Sequence, residues 1–118
     1  MRKKVYFLAS CSTCQRIMKD VGVDDSFEQQ NIKADKITAA QLDEMKAMAG
    51  TYEDLFSRKA MKYRAMGLHE SSLNETDYRQ LILDEYTFLK RPVFILDDAI
   101  FVGNSKKTVE AIKQKLIK

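Results

Sequence analysis

The residues best equipped for chemistry are Cys11 and Cys14, the only cysteines in a chain of 118 residues, separated by Ser12 and Thr13. An apolar run, Val5-Tyr6-Phe7-Leu8, precedes them, and apolar groups at helical spacing follow as far as Val21. The pair therefore sits where a buried strand turns into a helix. A helix start presents unpaired N–H groups and a partial positive charge. Both favour thiolate over thiol, and the thiolate is the nucleophile. The chemistry this pattern suits is dithiol–disulfide exchange. Two intervening residues at a helix start bring the Cα atoms within the roughly 4.4–6.8 Å that a disulfide requires. So short a loop adds little stability, and the bond would be easily reduced. Cys11 precedes the helix, whereas Cys14 lies in its first turn and is more covered, so Cys11 is expected to be the more acidic thiol. Two other readings compete, half of a zinc site and two inert core thiols. Zinc needs about four ligands, and the only histidine, His69, does not supply the missing pair. Inert thiols would need no such spacing.

The elements that position this pair can be read in order. Val5–Leu8 is apolar on both faces and predicts a central strand. Cys14, Ile17, Met18 and Val21 form one inward stripe of a helix over residues 13–21, with Gly22 beyond its end. Phe27–Ile32 carries Gln and Asn and predicts an edge strand, parallel to the first through a right-handed crossover. Thr38 and Gln41 make a capping box for a second helix, whose Leu42, Met45 and Met48 face inward before Gly50. A turn through Phe56 and a short helix from Lys59 to Met66 follow. Asn74, with Asp77 near the third position, starts a fourth helix. Its buried face is marked by Tyr78, Leu81, Ile82 and Leu89, and it should fray near Tyr86. A strand from Val93 begins at Pro92, the only proline. It turns at Asp97-Asp98-Ala99 and pairs back through Ile100–Val102. Asn104 or Ser105 then caps a last helix with Val109, Ile112 and Leu116 inside. The order βαβ, helices, αββα predicts an α/β, thioredoxin-like fold with a four-stranded mixed sheet. Its core is expected at 1–32 and 74–118, with a helical insert at 33–73.

Apolar residues make up 45% of the chain and charged residues 31%, which suits a soluble single domain. No apolar run reaches a membrane span. Met1-Arg2-Lys3-Lys4 is basic like the start of a signal peptide, but the apolar stretch behind it, Val5–Ala9, is too short for one. A cytoplasmic location is expected, where paired cysteines are catalytic or sensing more often than structural. The net charge of +3 fits an anionic substrate or an acidic partner surface without demanding either. His69 reads as a surface residue, the six methionines as core filler, and Lys113, Lys115 and Lys118 as the wet side of the last helix.

Beyond the cysteines, Leu55-Phe56-Ser57-Arg58-Lys59, Tyr63-Arg64-Ala65-Met66-Gly67-Leu68, Leu89-Lys90-Arg91-Pro92-Val93 and Phe101-Val102-Gly103 follow in order. This ordered set resembles the ArsC/Spx family, which holds glutaredoxin-linked arsenate reductases and Spx transcription regulators. The resemblance implies a thioredoxin fold, a nucleophilic Cys11, and a cis peptide at Pro92 facing the thiol. It also implies an anion clamp of Arg91 with Arg58 or Lys59, joined by Ser12 and Thr13. The bland alternative for Arg58, Lys59, Lys62 and Arg64 is a solvated helix face. The reductases frame their cysteine as His-x3-Cys-x3-Arg, where this chain has Phe7 and Gln15, and Gly103 stands at a third arginine. A tetrahedral oxyanion needs bidentate arginine contacts, so arsenate turnover is expected to be weak.

Two functions follow from the resemblance. The first is a thiol oxidoreductase acting on a small oxidised substrate or oxyanion. Cys14 would resolve the intermediate, and glutathione, thioredoxin or glutaredoxin would serve as reductant with no bound cofactor. The second is an Spx-like redox-sensing regulator that binds RNA polymerase. Neither direct nucleic-acid binding nor a membrane partner is expected.

Overall fold

The computed structural model describes residues 1–117 and divides into two units, Met1–Lys36 with Arg91–Lys118, and Ile37–Lys90. Lys118, expected on the wet side of the last helix, lies outside the described residues.

The first unit carries the sheet. Strands β1 (Lys3–Phe7), β2 (Glu28–Asn31), β3 (Val93–Leu96) and β4 (Ala99–Val102) run in the order β2-β1-β3-β4. Helices α1 (Ser12–Val21) and α5 (Lys106–Ile117) belong to the same unit. β1 pairs parallel with β2, with Lys4 opposite Glu28, and antiparallel with β3, with Val5 opposite Phe94. β3 and β4 form a hairpin, Leu96 opposite Ala99. This is the thioredoxin-like arrangement. The apolar β1 is central and the Gln- and Asn-bearing β2 lies at an edge, as the composition predicts. Val5, Phe94 and Leu96 pack with Ile17, Met18, Phe27 and Ile112 in one apolar core, with Phe7, Val21, Val23, Phe101, Val109 and Leu116 around it. Gly22 closes α1 with φ 83°, a left-handed value that a residue without a Cβ adopts freely. Ser105 caps α5, its hydroxyl accepting from the Thr108 N–H at 3.1 Å.

Among the described residues, two polar side chains are buried in this unit, Lys4 and Gln30. The Lys4 side chain is 4% exposed, and its ammonium donates to Glu28 at 2.7 Å and to Gln30 at 3.0 Å, both on β2. It also lies 4.9 Å from the centre of the Tyr6 ring. The Gln30 amide donates onward to the Asp35 carbonyl at 2.9 Å.

The second unit is helical. It contains α2 (Ala39–Ala49), α3 (Met61–Ala65) and α4 (Glu75–Asp84), with 3₁₀ turns at Glu53–Leu55, Leu68–Glu70 and Tyr86–Phe88. Both expected capping boxes are present, Thr38 with Gln41 and Asn74 with Asp77. Phe56 is fully buried and its ring meets those of Tyr63, Tyr78 and Phe88 at 5.9, 4.9 and 5.0 Å. Backbone bonds from Ser57 to Phe88 and from Lys90 to Leu55 tie the ends together.

The helical unit spans Ile37–Lys90 where the sequence reading puts an insert at 33–73, with 33–36 in the sheet unit and α4 in the helical one. Three readings of the sequence are corrected here. α3 is shorter than Lys59–Met66, because Ala60 keeps an extended backbone. Leu89 is buried outside α4, bridging to Phe56 after the helix has ended at Asp84. Met61 and Met66 are not core filler: α3 buries no residue, and they are 91% and 55% exposed.

Candidate active site

α1 begins where β1 ends. A turn over Leu8–Cys11, closed by the Cys11 N–H on the Leu8 carbonyl at 2.9 Å, delivers Cys11 as the N-cap of the helix. As a thiol its side chain makes no capping hydrogen bond, and the Thr13 and Cys14 N–H groups favour its thiolate form. Both cysteines are free thiols, Cys11 half-buried and Cys14 fully buried.

The two thiols differ in acidity. Partial burial raises the Cys11 pKa, but opposing contributions outweigh it. The Cys14 N–H and the Cys14 thiol both favour the Cys11 thiolate, as do the Arg91 charge and the Thr13 N–H. The Cys11 thiol therefore ends below the ordinary cysteine value. Burial dominates at Cys14, and the neighbouring Cys11 adds to it, pushing that thiol up to about 11. Sequence reasoning expects Cys11 to be the more acidic thiol, from the helix start at Cys11 and the cover over Cys14; here burial raises Cys14 and backbone amides lower Cys11.

Of the residues singled out in the sequence, Cys11, Ser12, Thr13 and Cys14 form the start of α1, and Arg91 and Pro92 stand immediately before β3. The Arg91 charge acts on both thiols. The Arg91–Pro92 peptide is cis, Pro92 is buried, and its carbonyl accepts from the Gly103 N–H at 3.0 Å. Arg58 and Lys59 belong to the helical unit. The Arg58 guanidinium is engaged there by Glu53 at 2.7 Å and by the Tyr78 hydroxyl at 2.9 Å, while Lys59 is exposed. Gly103 has φ 92°, a conformation that strains any residue with a side chain.

Two side chains beside the site escaped the sequence reading. The Gln15 amide donates to the Ala9 carbonyl at 3.3 Å, and the Asn31 carbonyl oxygen accepts from the Ala9 N–H at 3.3 Å. Gln15 is visible in the sequence only as a departure from the reductase frame. Asn31 gives no signal until the β1–β2 register is known. Among the described residues no cluster of His, Cys, Asp and Glu could hold a metal ion, and no helix is long and apolar enough to cross a membrane.

The ArsC family model matches residues 6–112. An arsenate reductase from Vibrio cholerae superposes with a TM-score of 0.77 at 14% identity, covering 95% of this chain and 98% of its own. An arsenate reductase (ArsC) related protein from Brucella melitensis gives 0.71 at 24% identity, covering 94% and 93%. A protein from Staphylococcus aureus COL gives 0.71 at 23% identity, covering 92% and 96%. At these identities the likeness is one of fold. No curated protein matches the sequence.

Proposed function

We propose, from the premise that the chain belongs to the ArsC family, that it is a small thiol-dependent oxidoreductase using Cys11 as nucleophile and Cys14 as resolving thiol. The observation that supports this is the split in acidity across one helical turn, Cys11 lowered and Cys14 raised to about 11. The lower thiol is the readier of the two to ionise for attack, and the higher one keeps its proton until a mixed disulfide forms beside it.

With a disulfide substrate RSSR′, the Cys11 thiolate attacks one sulfur, forms Cys11–SR and releases R′S⁻. Cys14 then gives its proton to the departing RS⁻ as its sulfur attacks Cys11, and the Cys11–Cys14 disulfide forms. Two electrons have passed to the substrate. Glutathione, or the dithiol of a thioredoxin or glutaredoxin, returns them by the same exchange run in reverse. Arg91 stabilises negative charge on sulfur or on an anionic substrate, and Ser12 and Thr13 contribute the polar start of α1.

The same pair would serve a regulator that senses oxidants and binds RNA polymerase, and the asymmetry of the thiols favours that reading equally. A turnover assay separates the two. Steady reduction of a glutathione mixed disulfide with arsenate turnover weak or absent supports the enzyme. Reversible oxidation of the pair without turnover, together with retention of RNA polymerase on the oxidised or reduced form, supports the regulator. Robust arsenate reduction in the presence of glutaredoxin would overturn the expectation drawn from Phe7, Gln15 and Gly103.

A further inference from the structure

The turn that delivers Cys11 is short and exposed at Ala9 and Ser10. Its own closing bond, Cys11 to Leu8, fixes its ends and leaves the peptide groups of its second residue to find other partners. Both groups of Ala9 are held from outside. The Ala9 carbonyl accepts from Gln15 Nε2 on α1, and the Ala9 N–H donates to Asn31 Oδ1 at the end of β2. Asn31 Oδ1 also accepts from the Lys33 N–H at 3.4 Å, so its own orientation is fixed by two donors. The Gln15 backbone N–H bonds the Cys11 carbonyl at 3.1 Å. Gln15 thus grips the turn at both Ala9 and Cys11, one contact by side chain and one by backbone.

This arrangement bears on the thiol. The amides of Thr13 and Cys14 favour a Cys11 thiolate only while the sulfur lies over the start of α1. Hydrogen bonds to a thiolate fall off steeply with distance and angle. A turn free to rock about its Leu8 and Cys11 ends would move the sulfur off those donors. We propose that Gln15 is a positioning residue which, together with Asn31, clamps Ala9 and so holds the Cys11 sulfur over the amides that begin α1. The proposal rests on the reading of Cys11 as the nucleophile. It assigns Gln15 a role of its own, in which a neutral amide organises the loop and does not touch the substrate. The charged and titratable groups that act on Cys11 directly are Arg91 and Cys14, and neither is altered by the test that follows.

The test is the pH profile of Cys11 alkylation by iodoacetamide, read by peptide mass on the full chain. Gln15→Met keeps length and helix preference but removes the donor, and Asn31→Ala removes the acceptor. Each should move the Cys11 profile to higher pH and slow alkylation at pH 7 by about 3- to 10-fold, since the rate follows the thiolate fraction. Because both contacts act on one residue, the double variant should slow it by much less than the product of the two. Gln29→Met is the control. Its exposed amide donates to the Asp24 carbonyl at 3.1 Å, away from the turn, and its loss should leave the profile in place. Gln15 is exposed, so its replacement does not threaten the core, and an unchanged melting temperature confirms this. Unchanged profiles in Gln15→Met and Asn31→Ala, with an acidic Cys11 in the unaltered protein, would overturn the clamp and leave the nucleophile standing. A Cys11 no more acidic than an ordinary cysteine in the unaltered protein would overturn both.

Discussion

The two units of this chain solve the problem of order differently. The sheet unit relies on apolar surface: Val5, Phe94, Leu96, Ile17 and Ile112 are at most 1% exposed and interlock around a sheet whose backbone groups satisfy one another. The helical unit has no sheet, three short helices and three 3₁₀ turns. Side chains there add to the helical backbone bonds and to the bridge between Phe56 and Leu89. Glu75 accepts from the N–H groups of Tyr52 and Glu53 at 2.7 and 3.1 Å. Asp43 accepts from Arg79 through two bonds and from the Tyr52 hydroxyl. Lys62 reaches Glu85 at 2.6 Å. A pattern of ladders needs few specific side chains, whereas a set of turns needs many. Both cysteines sit on the unit with ladders, where β1 ends and α1 begins.

If that contrast is right, the largest effect of any single change falls on the chemistry alone. Cys11→Ser should lower reduction of a glutathione mixed disulfide on the order of a thousandfold or more, with little change in denaturation midpoint. A loss of stability to match would mean that Cys11 is structural. The second effect belongs to the helical unit. Phe56→Ala deletes the ring on which three others converge, and should cost about 3–5 kcal/mol by denaturant unfolding. Hydrogen exchange should quicken most within residues 37–90. A cost below about 1 kcal/mol would show that the polar contacts carry that unit without an apolar centre.

A third measurement compares the two thiols within the sheet unit. At neutral pH iodoacetamide should label Cys11 at least ~10-fold faster than Cys14, the one lowered and half-buried, the other raised and fully buried. Diamide should then remove both free thiols as an intramolecular disulfide that dithiothreitol reverses. Equal labelling, or intermolecular dimers only, would remove Cys14 from the mechanism.

The smallest effect is a pH dependence confined to the helical unit. Arg79, with help from Tyr52, holds the Asp43 carboxyl down at about 2, from an ordinary 3.8. A depressed carboxyl stabilises the fold above its unfolded value and loses that contribution as pH falls from about 4 towards about 2. Asp43→Asn should therefore lower the melting temperature slightly at pH 7 and by much less near pH 2. An equal shift at both would show that the carboxylate charge does not matter.

What the sequence made legible was local. Thr38 with Gln41 and Asn74 with Asp77 are three residues apart, so their capping boxes could be read before any fold was known. β1 and β2 could be ranked as centre and edge because Val5-Tyr6-Phe7 and Glu28-Gln29-Gln30 differ in polarity. The obscure parts depend on distant residues. Leu89 looks like the next apolar position of α4, yet it is buried by bridging to Phe56. Met61 and Met66 look like an inner stripe, yet α3 buries no residue and sets Tyr63, rather than either methionine, against Phe56. At the site, the cysteines announce themselves by spacing. Arg91 acts on Cys11 only because β3 lies antiparallel to β1, and only family resemblance pointed to it. The grip of Gln15 and Asn31 on Ala9 requires β2 in its final register, which no local pattern encodes.

Lys4 has a consequence for how this chain avoids going wrong. A strand edge as short and polar as β2 specifies its alignment weakly, and a slip of one residue would exchange the faces of every side chain on it. Lys4 lies opposite Glu28, and its ammonium is answered by Glu28 and Gln30, two positions of that edge separated by one residue. Moved by one place, β2 would offer Gln29 and Asn31 on that face and no carboxylate. The ammonium would then be buried without its counter-charge, at a cost of several kcal/mol. Apolar residues at the same place would tolerate either alignment. In the observed register the buried lysine has both a carboxylate and an amide to answer it.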